Sequence, residues 1–195
     1  SVFDQATIKA RGANNLEQLL NLAPNVNFAA GASRGRYIQI RGIGERSQFV
    51  DPVNPSVGLI IDGIDFTGLG LAASTLDIEQ VEILRGPQGT LYGANALAGL
   101  ITMQSHAPST TPMATISGQV AEYDSKTLGV VASGPLTDRL SYRVAAQNQY
   151  SDGYIDNNYL DKDDTNNIDE SIARAQLRFQ ESEDLQLDIS MLYID

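Results

Sequence analysis

Two different patterns of apolar and polar positions divide this chain. Up to about residue 108 short β-rich runs stand at 37–41, 57–61, 78–84 and 99–104, each bounded by Gly, Pro or Asp, which predicts short strands. One stretch has helical spacing: Leu16, Leu19, Leu20 and Leu22, with Asn14 or Asn15 placed to cap it and Pro24 just beyond its end.

From residue 113 onward the pattern becomes strict alternation. Leu140, Tyr142, Val144 and Ala146 interleave with Ser141, Arg143, Ala145 and Gln147. Ala173, Ala175, Leu177 and Phe179 interleave with Arg174, Gln176, Arg178 and Gln180, and Leu185 through Tyr193 repeats the rule. Residues 114–123 and 127–134 follow it more weakly. Such a period predicts five strands, each with one apolar and one polar face. The segment Pro108-Ser109-Thr110-Thr111-Pro112 between the two patterns suits an extended linker over 109–112.

The connections choose between a soluble sheet and a membrane barrel. Residues 134–138 and 181–184 are tight turns, whereas 151–170 is a long polar stretch. Short turns at one end and longer loops at the other, between strands of about 9–11 residues, are the asymmetry of outer-membrane barrels. Five strands cannot close, and lipid does not tolerate unpaired edges. The chain is therefore expected to be the N-terminal portion of a longer one.

Composition adds exclusions. A net charge of −11 with no basic stripe argues against nucleic acid. No run approaches the length of a spanning helix, and Ser1 opens in mature-looking sequence, so no signal peptide is expected within the chain. The absence of cysteine removes disulfides and thiolate metal sites. The single histidine, His106, forms no triad and no metal site, and Gly86-Pro87-Gln88-Gly89-Thr90 lacks the Lys-Ser/Thr of a phosphate loop. Asp62 and Asp65 resemble a hydrolytic carboxylate pair, but a strand end followed by Gly reads first as a turn. The acidic loop from Asp152 to Glu170 fails the EF-hand spacing at Asn166 and Ile172, so it is expected to be a solvated loop. The metal expectation is none, and the chain is not expected to be an enzyme.

The most informative segment is Val81-Glu82-Ile83-Leu84-Arg85-Gly86-Pro87, followed by the small-residue run to Gly99-Leu100-Ile101. With Ile38-Gln39-Ile40-Arg41-Gly42-Ile43-Gly44, Val57 to Gly63, and the opening Leu16–Leu20 and Pro24–Phe28, it resembles the plug domain of TonB-dependent outer-membrane receptors. The motifs occur in that family's order. The resemblance implies an α+β plug over 1–108, followed by antiparallel strands over 113–195 of an incomplete transmembrane β-barrel, 22-stranded when complete. It implies energy-coupled import of a scarce bulky nutrient, by family frequency an iron–siderophore, across the outer membrane of a Gram-negative bacterium. The plug would sit in the barrel lumen. Rival readings are a ligand-sensing signalling receptor and, less favoured, a secreted β-rich hydrolase.

Partners implied are a TonB-type periplasmic protein, whose contact box would lie upstream of Ser1, a small-molecule ligand and outer-membrane lipid. No cofactor is implied beyond a metal carried by the transported ligand. The resemblance also implies that Arg41 and Arg85 latch the plug to glutamates on the barrel wall, for which a planar guanidinium is suited. The plain alternative is an exposed ion pair worth about 0–1 kcal/mol. Arg46, Gln48, Phe49, Phe66 and Leu69 fall in loops that face ligand in the family. Gly42, Gly44, Gly63, Gly86, Pro87, Gly89, Gly93 and Gly99 are the expected turn and close-approach positions. Ala98 stands where many members have a second glycine, which is harmless if it needs no positive φ. Ala94 stands where a basic residue is frequent, which weakens any assignment to one substrate subgroup.

Overall fold

The computed structural model of the protein describes residues 1–28, 35, 37–47, 52–68, 73–89, 95–153, 155–159, 162–182 and 185–195, without the side chains of 162–165. Contacts divide it into two compact units, Ser1–His106 and Ala107–Asp195.

The first unit begins with β1 (Val2–Asp4), α1 (Gln5–Arg11) and α2 (Leu16–Leu20). Asp4 caps α1 by accepting from Thr7 N–H at 2.8 Å, and Gly12 closes it at φ 65°. In α2 the cap is reciprocal. Asn15 Oδ1 accepts from Gln18 N–H at 3.2 Å, and Gln18 Oε1 accepts from Asn14 N–H at 2.6 Å. Next come β2 (Val26–Phe28), β3 (Ile38–Ile40), β4 (Val57–Ile61), β5 (Ile64–Asp65), β6 (Ile78–Arg85) and β7 (Gly99–Ser105). The main sheet runs β1-β6-β7-β4-β5, with β4 and β7 parallel and the other neighbours antiparallel. β2 and β3 form a separate hairpin pair.

The core gathers Phe3, Ile8, Leu16, Leu19, Ile40, Ile83, Ile101 and Met103, with Leu16, Leu19 and Ile101 wholly buried. Each such side chain stabilises the fold by about 1.5–3 kcal/mol relative to exposure. β4 and β7 lie inside the sheet and are buried on both faces, which is why their apolar positions are nearly continuous, whereas β6 alternates.

The second unit is a meander of β8 (Met113–Val120), β9 (Lys126–Pro135), β10 (Leu140–Ser151), β13 (Ile168–Gln180) and β14 (Gln186–Ile194), in the order β14-β13-β10-β9-β8. A small hairpin, β11 (Ile155–Asn157) with β12 (Lys162–Thr165), rises from the connection between β10 and β13. The five alternating segments are thus five paired strands, and the sheet is open. The alternation did not foresee β1, α1, β5 or the β11–β12 hairpin.

The polarity of this sheet is inverted relative to a soluble one. Ser133, Ser141, Arg143, Gln149 and Arg174 are buried, while Ile116, Leu128, Val130, Leu187, Ile189, Met191 and Tyr193 are exposed. Register lines the exposed side chains into rows, such as Ile116–Val130–Ala146–Ala173–Tyr193 and Ala114–Ala132–Val144–Ala175–Met191. The rows begin at Leu140–Phe179–Leu187 and end at Leu128–Asn148–Ser171, where Asn148 Nδ2 donates to Ser171 Oγ at 3.0 Å. Residues 140–148 cover roughly 27 Å at about 3.4 Å per residue. At a tilt of about 40° this gives a band some 20 Å high, close to the ~25 Å apolar belt of an outer-membrane barrel. Beyond the band lie charged pairs: Arg139 Nη1 with Glu181 Oε1 at 2.5 Å at the short-turn end, and Lys126 Nζ with Asp124 Oδ1 at 2.7 Å at the other.

Candidate functional site

Arg41 lies one residue beyond β3, in a turn rather than on the strand. Ile40 and Ile43 exchange both backbone hydrogen bonds, N–H to O at 2.9 and 3.0 Å, so Arg41 and Gly42 are the two central residues of a tight hairpin. Their φ values of 55° and 80° fit a type I′ turn. Glycine accepts this conformation freely, but an arginine there is strained by about 1–2 kcal/mol. The side chain is exposed, and among the described residues its guanidinium has no acceptor. The turn is pinned by its backbone instead: Arg41 N–H donates to the carbonyl of Asn25 at 2.8 Å.

Arg85 closes β6, as the alternation of that strand predicts. Its Nη2 donates to Ser1 Oγ at 2.9 Å and to the carbonyl of Pro24 at 3.2 Å. Its Nε is buried and has no acceptor among the described residues. The two arginines are therefore held by consecutive carbonyls, Pro24 and Asn25. Asn25 occupies the left-handed region at φ 59°, which asparagine tolerates better than most residues.

Arg85 also depends on its neighbour across the sheet. Gly99 is its register partner, and a Cβ there would meet Leu84 O at 2.5 Å and Ile40 Cδ1 at 2.6 Å. Beyond the strand, Gly86 N–H donates to Ala98 O and Gln88 N–H to Ala96 O, at 2.9 and 2.8 Å. Ala98 is not among the positive-φ residues, so a second glycine is not required there. Gly63 and Gly86 have positive φ, and Gly44 both has positive φ and lies against Ile38 O. Pro87 is exposed in the turn. Gly89 departs from expectation: it has no positive φ, and among the described residues a Cβ there would meet nothing within 4 Å. Gly93 lies outside the described residues.

Of the candidate ligand-facing residues, Arg46 is exposed. Its loop is anchored by Glu45, which accepts from Ser56 N–H at 2.9 Å and Ser56 Oγ at 2.8 Å. Phe66 packs partly buried against the core of its own unit, which favours a structural role for it. Gln48, Phe49 and Leu69 lie outside the described residues.

The two aspartates of the rival hydrolase reading each accept hydrogen bonds at their turns. Asp62, in the type I′ turn joining β4 and β5, accepts from Ser105 N–H at 2.7 Å and Ser105 Oγ at 2.8 Å. Asp65 accepts from Thr67 N–H at 2.8 Å and Asn95 Nδ2 at 3.2 Å. Partial burial pushes the Asp65 carboxyl up, but the hydrogen bonds from Thr67 and Asn95 outweigh it and leave the group below its ordinary range. Among the described residues no cluster of three or more His, Asp or Glu side chains could hold a metal ion.

Residues 1–100, just over half of the chain, match the family model described as the TonB-dependent receptor plug domain. The chain belongs to the TonB-dependent receptor family.

This TonB-dependent receptor chain is 33% identical over 180 residues to the pesticin receptors of Yersinia pestis and Yersinia enterocolitica, covering 91% of itself and 26% of each relative. It is 35% identical over 113 residues to the catecholate siderophore receptor Fiu of Escherichia coli, covering 55% of itself and 13% of that protein. Among solved structures, the ferric yersiniabactin uptake receptor FyuA from Yersinia pestis superposes with a TM-score of 0.81 at 30% identity, covering 94% of this chain and 29% of that one. The open form of Fiu from Escherichia coli superposes with a TM-score of 0.75 at 22% identity, a likeness of fold. The chain thus spans about a quarter of the length of the pesticin receptors. The family is one of Gram-negative outer-membrane receptors, and its plug-plus-strand architecture is the one found here.

Proposed function

We propose that the complete protein imports a ferric siderophore across the outer membrane, with the N-terminal unit as plug and the second unit as the first strands of the barrel wall. The observation that carries this reading is the likeness, across 94% of the chain, to a receptor described as one of ferric yersiniabactin uptake, and across 55% to one named for catecholate siderophores. The inverted polarity of the five-stranded sheet supports it physically, because only lipid makes an outward apolar band favourable.

In this reading a TonB-type partner supplies the energy, and the protein breaks no covalent bond. Arg41 and Arg85 are the latch, each pairing with a wall carboxylate. The strain at Arg41 and the unsatisfied Nε of Arg85 both fit groups that gain from such a partner. Arg46, Gln48, Phe49, Phe66 and Leu69 are the plug's candidate ligand contacts. A seal of polar contacts also suits a plug that must hold and yet remodel locally.

The test is to express the complete receptor in an iron-limited host lacking its own ferric-siderophore receptors, and to follow radio-iron supplied as ferric yersiniabactin and as ferric siderophores of the catecholate class. Energy-dependent accumulation of iron supports the proposal. Binding without accumulation points to signalling, and no binding of either class overturns the substrate assignment.

A further inference from the structure

Strand β1 is an edge strand, joined to the sheet through β6 alone. At its start Ser1 and Ile83 exchange both backbone hydrogen bonds, at 2.7 and 2.9 Å, and the Ser1 hydroxyl accepts from the Arg85 guanidinium. The same Arg85 nitrogen reaches the Pro24 carbonyl, and the next carbonyl, that of Asn25, holds the Arg41 turn. A continuous series of hydrogen bonds therefore runs from the first residue of β1 through Arg85 and the Pro24–Asn25 turn to Arg41. The two arginines lie 44 positions apart in sequence, and no strand pairing joins their own strands, β3 and β6.

From this connection we infer that Ser1, Pro24 and Asn25 are positioning residues that make the two arginines release together when β1 leaves β6. The inference rests on the transport reading above. Detaching β1 removes the Ser1 hydroxyl from Arg85. With that anchor gone, Arg85 keeps only its 3.2 Å hydrogen bond to the Pro24 carbonyl, so the Pro24–Asn25 turn, otherwise held by the pairing of Val26 with Ile40, loses a firm tie to β6. β1 is suited to being the moving part: it has one neighbour, and Val2 is exposed. An edge strand peels away at far lower cost than any central strand.

The cysteine-free chain provides a direct test. Val2 and Glu82 are register partners and flank the hydrogen-bonded Ser1–Ile83 pair, so they form a non-hydrogen-bonded pair with Cα atoms about 4.5 Å apart. That spacing lies within the range a disulfide bridges. In the complete receptor, Val2→Cys with Glu82→Cys, oxidised in cells, should leave ferric siderophore binding unchanged and lower uptake at least tenfold. Reduction should restore uptake. Full uptake with the disulfide formed overturns the inference, whereas no uptake in the reduced or unsubstituted receptor tells against the transport reading instead.

The link between the arginines has its own readout. Ser1→Ala removes only the hydroxyl, yet it should speed amide exchange across residues 40–44 several-fold in the complete receptor. A side chain with a purely local role would leave that segment unchanged, and unchanged exchange there rejects the coupling.

Discussion

The Ser105 hydroxyl donates to Asp62 Oδ2 at 2.8 Å across 43 positions of sequence, while Ser105 N–H donates to the other carboxylate oxygen. One side chain thereby closes the end of β7 against the turn that joins β4 to β5. Asp62→Ala should cost about 1–2 kcal/mol by leaving both donors without this acceptor. Denaturation of the complete receptor with the plug in place measures it, and hydrolytic turnover abolished by the same substitution would return the enzyme reading.

Arg41 sets function against stability. Arg41→Gly should leave the plug as stable or more stable by up to about 1 kcal/mol, because glycine takes a φ of 55° without strain. Uptake should fall, since the guanidinium is gone. A glycine variant that destabilises the plug would show that the turn is not strained.

Two glycines should respond in opposite ways. Gly99→Ala forces a Cβ against Leu84 O and Ile40 Cδ1, an overpacking that should cost about 1–3 kcal/mol. Gly89→Ala enters open space and should change stability by less than about 0.5 kcal/mol. Proteolytic susceptibility of the plug under mild denaturant ranks the two.

On the second unit, the two faces of β13 should tolerate charge differently. Ala173→Arg places a cation in the middle of the exposed apolar rows and should cost about 2–4 kcal/mol of stability in the bilayer. Gln176→Arg, on the polar face, should cost much less. Refolding of the complete receptor into lipid vesicles reads the difference, and equal costs would count against the lipid-facing assignment.

Helix α1 should loosen in acid. Hydrogen bonds from the Thr7 hydroxyl and then from Thr7 N–H hold the Asp4 carboxyl below its ordinary value. A depressed folded-state value means that the cap's contribution is complete above the unfolded value of about 3.9 and is lost as pH falls through the folded value. Amide exchange in residues 5–11 should therefore rise with acidity beyond its intrinsic pH dependence, and Asp4→Asn should flatten that extra rise.

The sequence alone determined the features that depend on local chemistry. Alternation from Leu140 to Tyr193 fixed strands and faces, because a strand's side chains must alternate. Asp62-Gly63 marked a turn, and Asn14 or Asn15 marked the start of α2. The β1–α1 entry was legible in principle from Asp4 and Gly12, but its helix holds a single buried residue, Ile8, too little for a periodic signal. Tertiary structure decided what depends on distant partners. Arg85 meets Ser1 and Pro24 from 84 and 61 positions away, and Gly99 is required by the approach of Leu84 and Ile40. Phe66, a candidate ligand contact, also packs partly buried against the core. Such pairings leave no periodicity, because chain folding brings the residues together and neither neighbourhood in the sequence encodes the other.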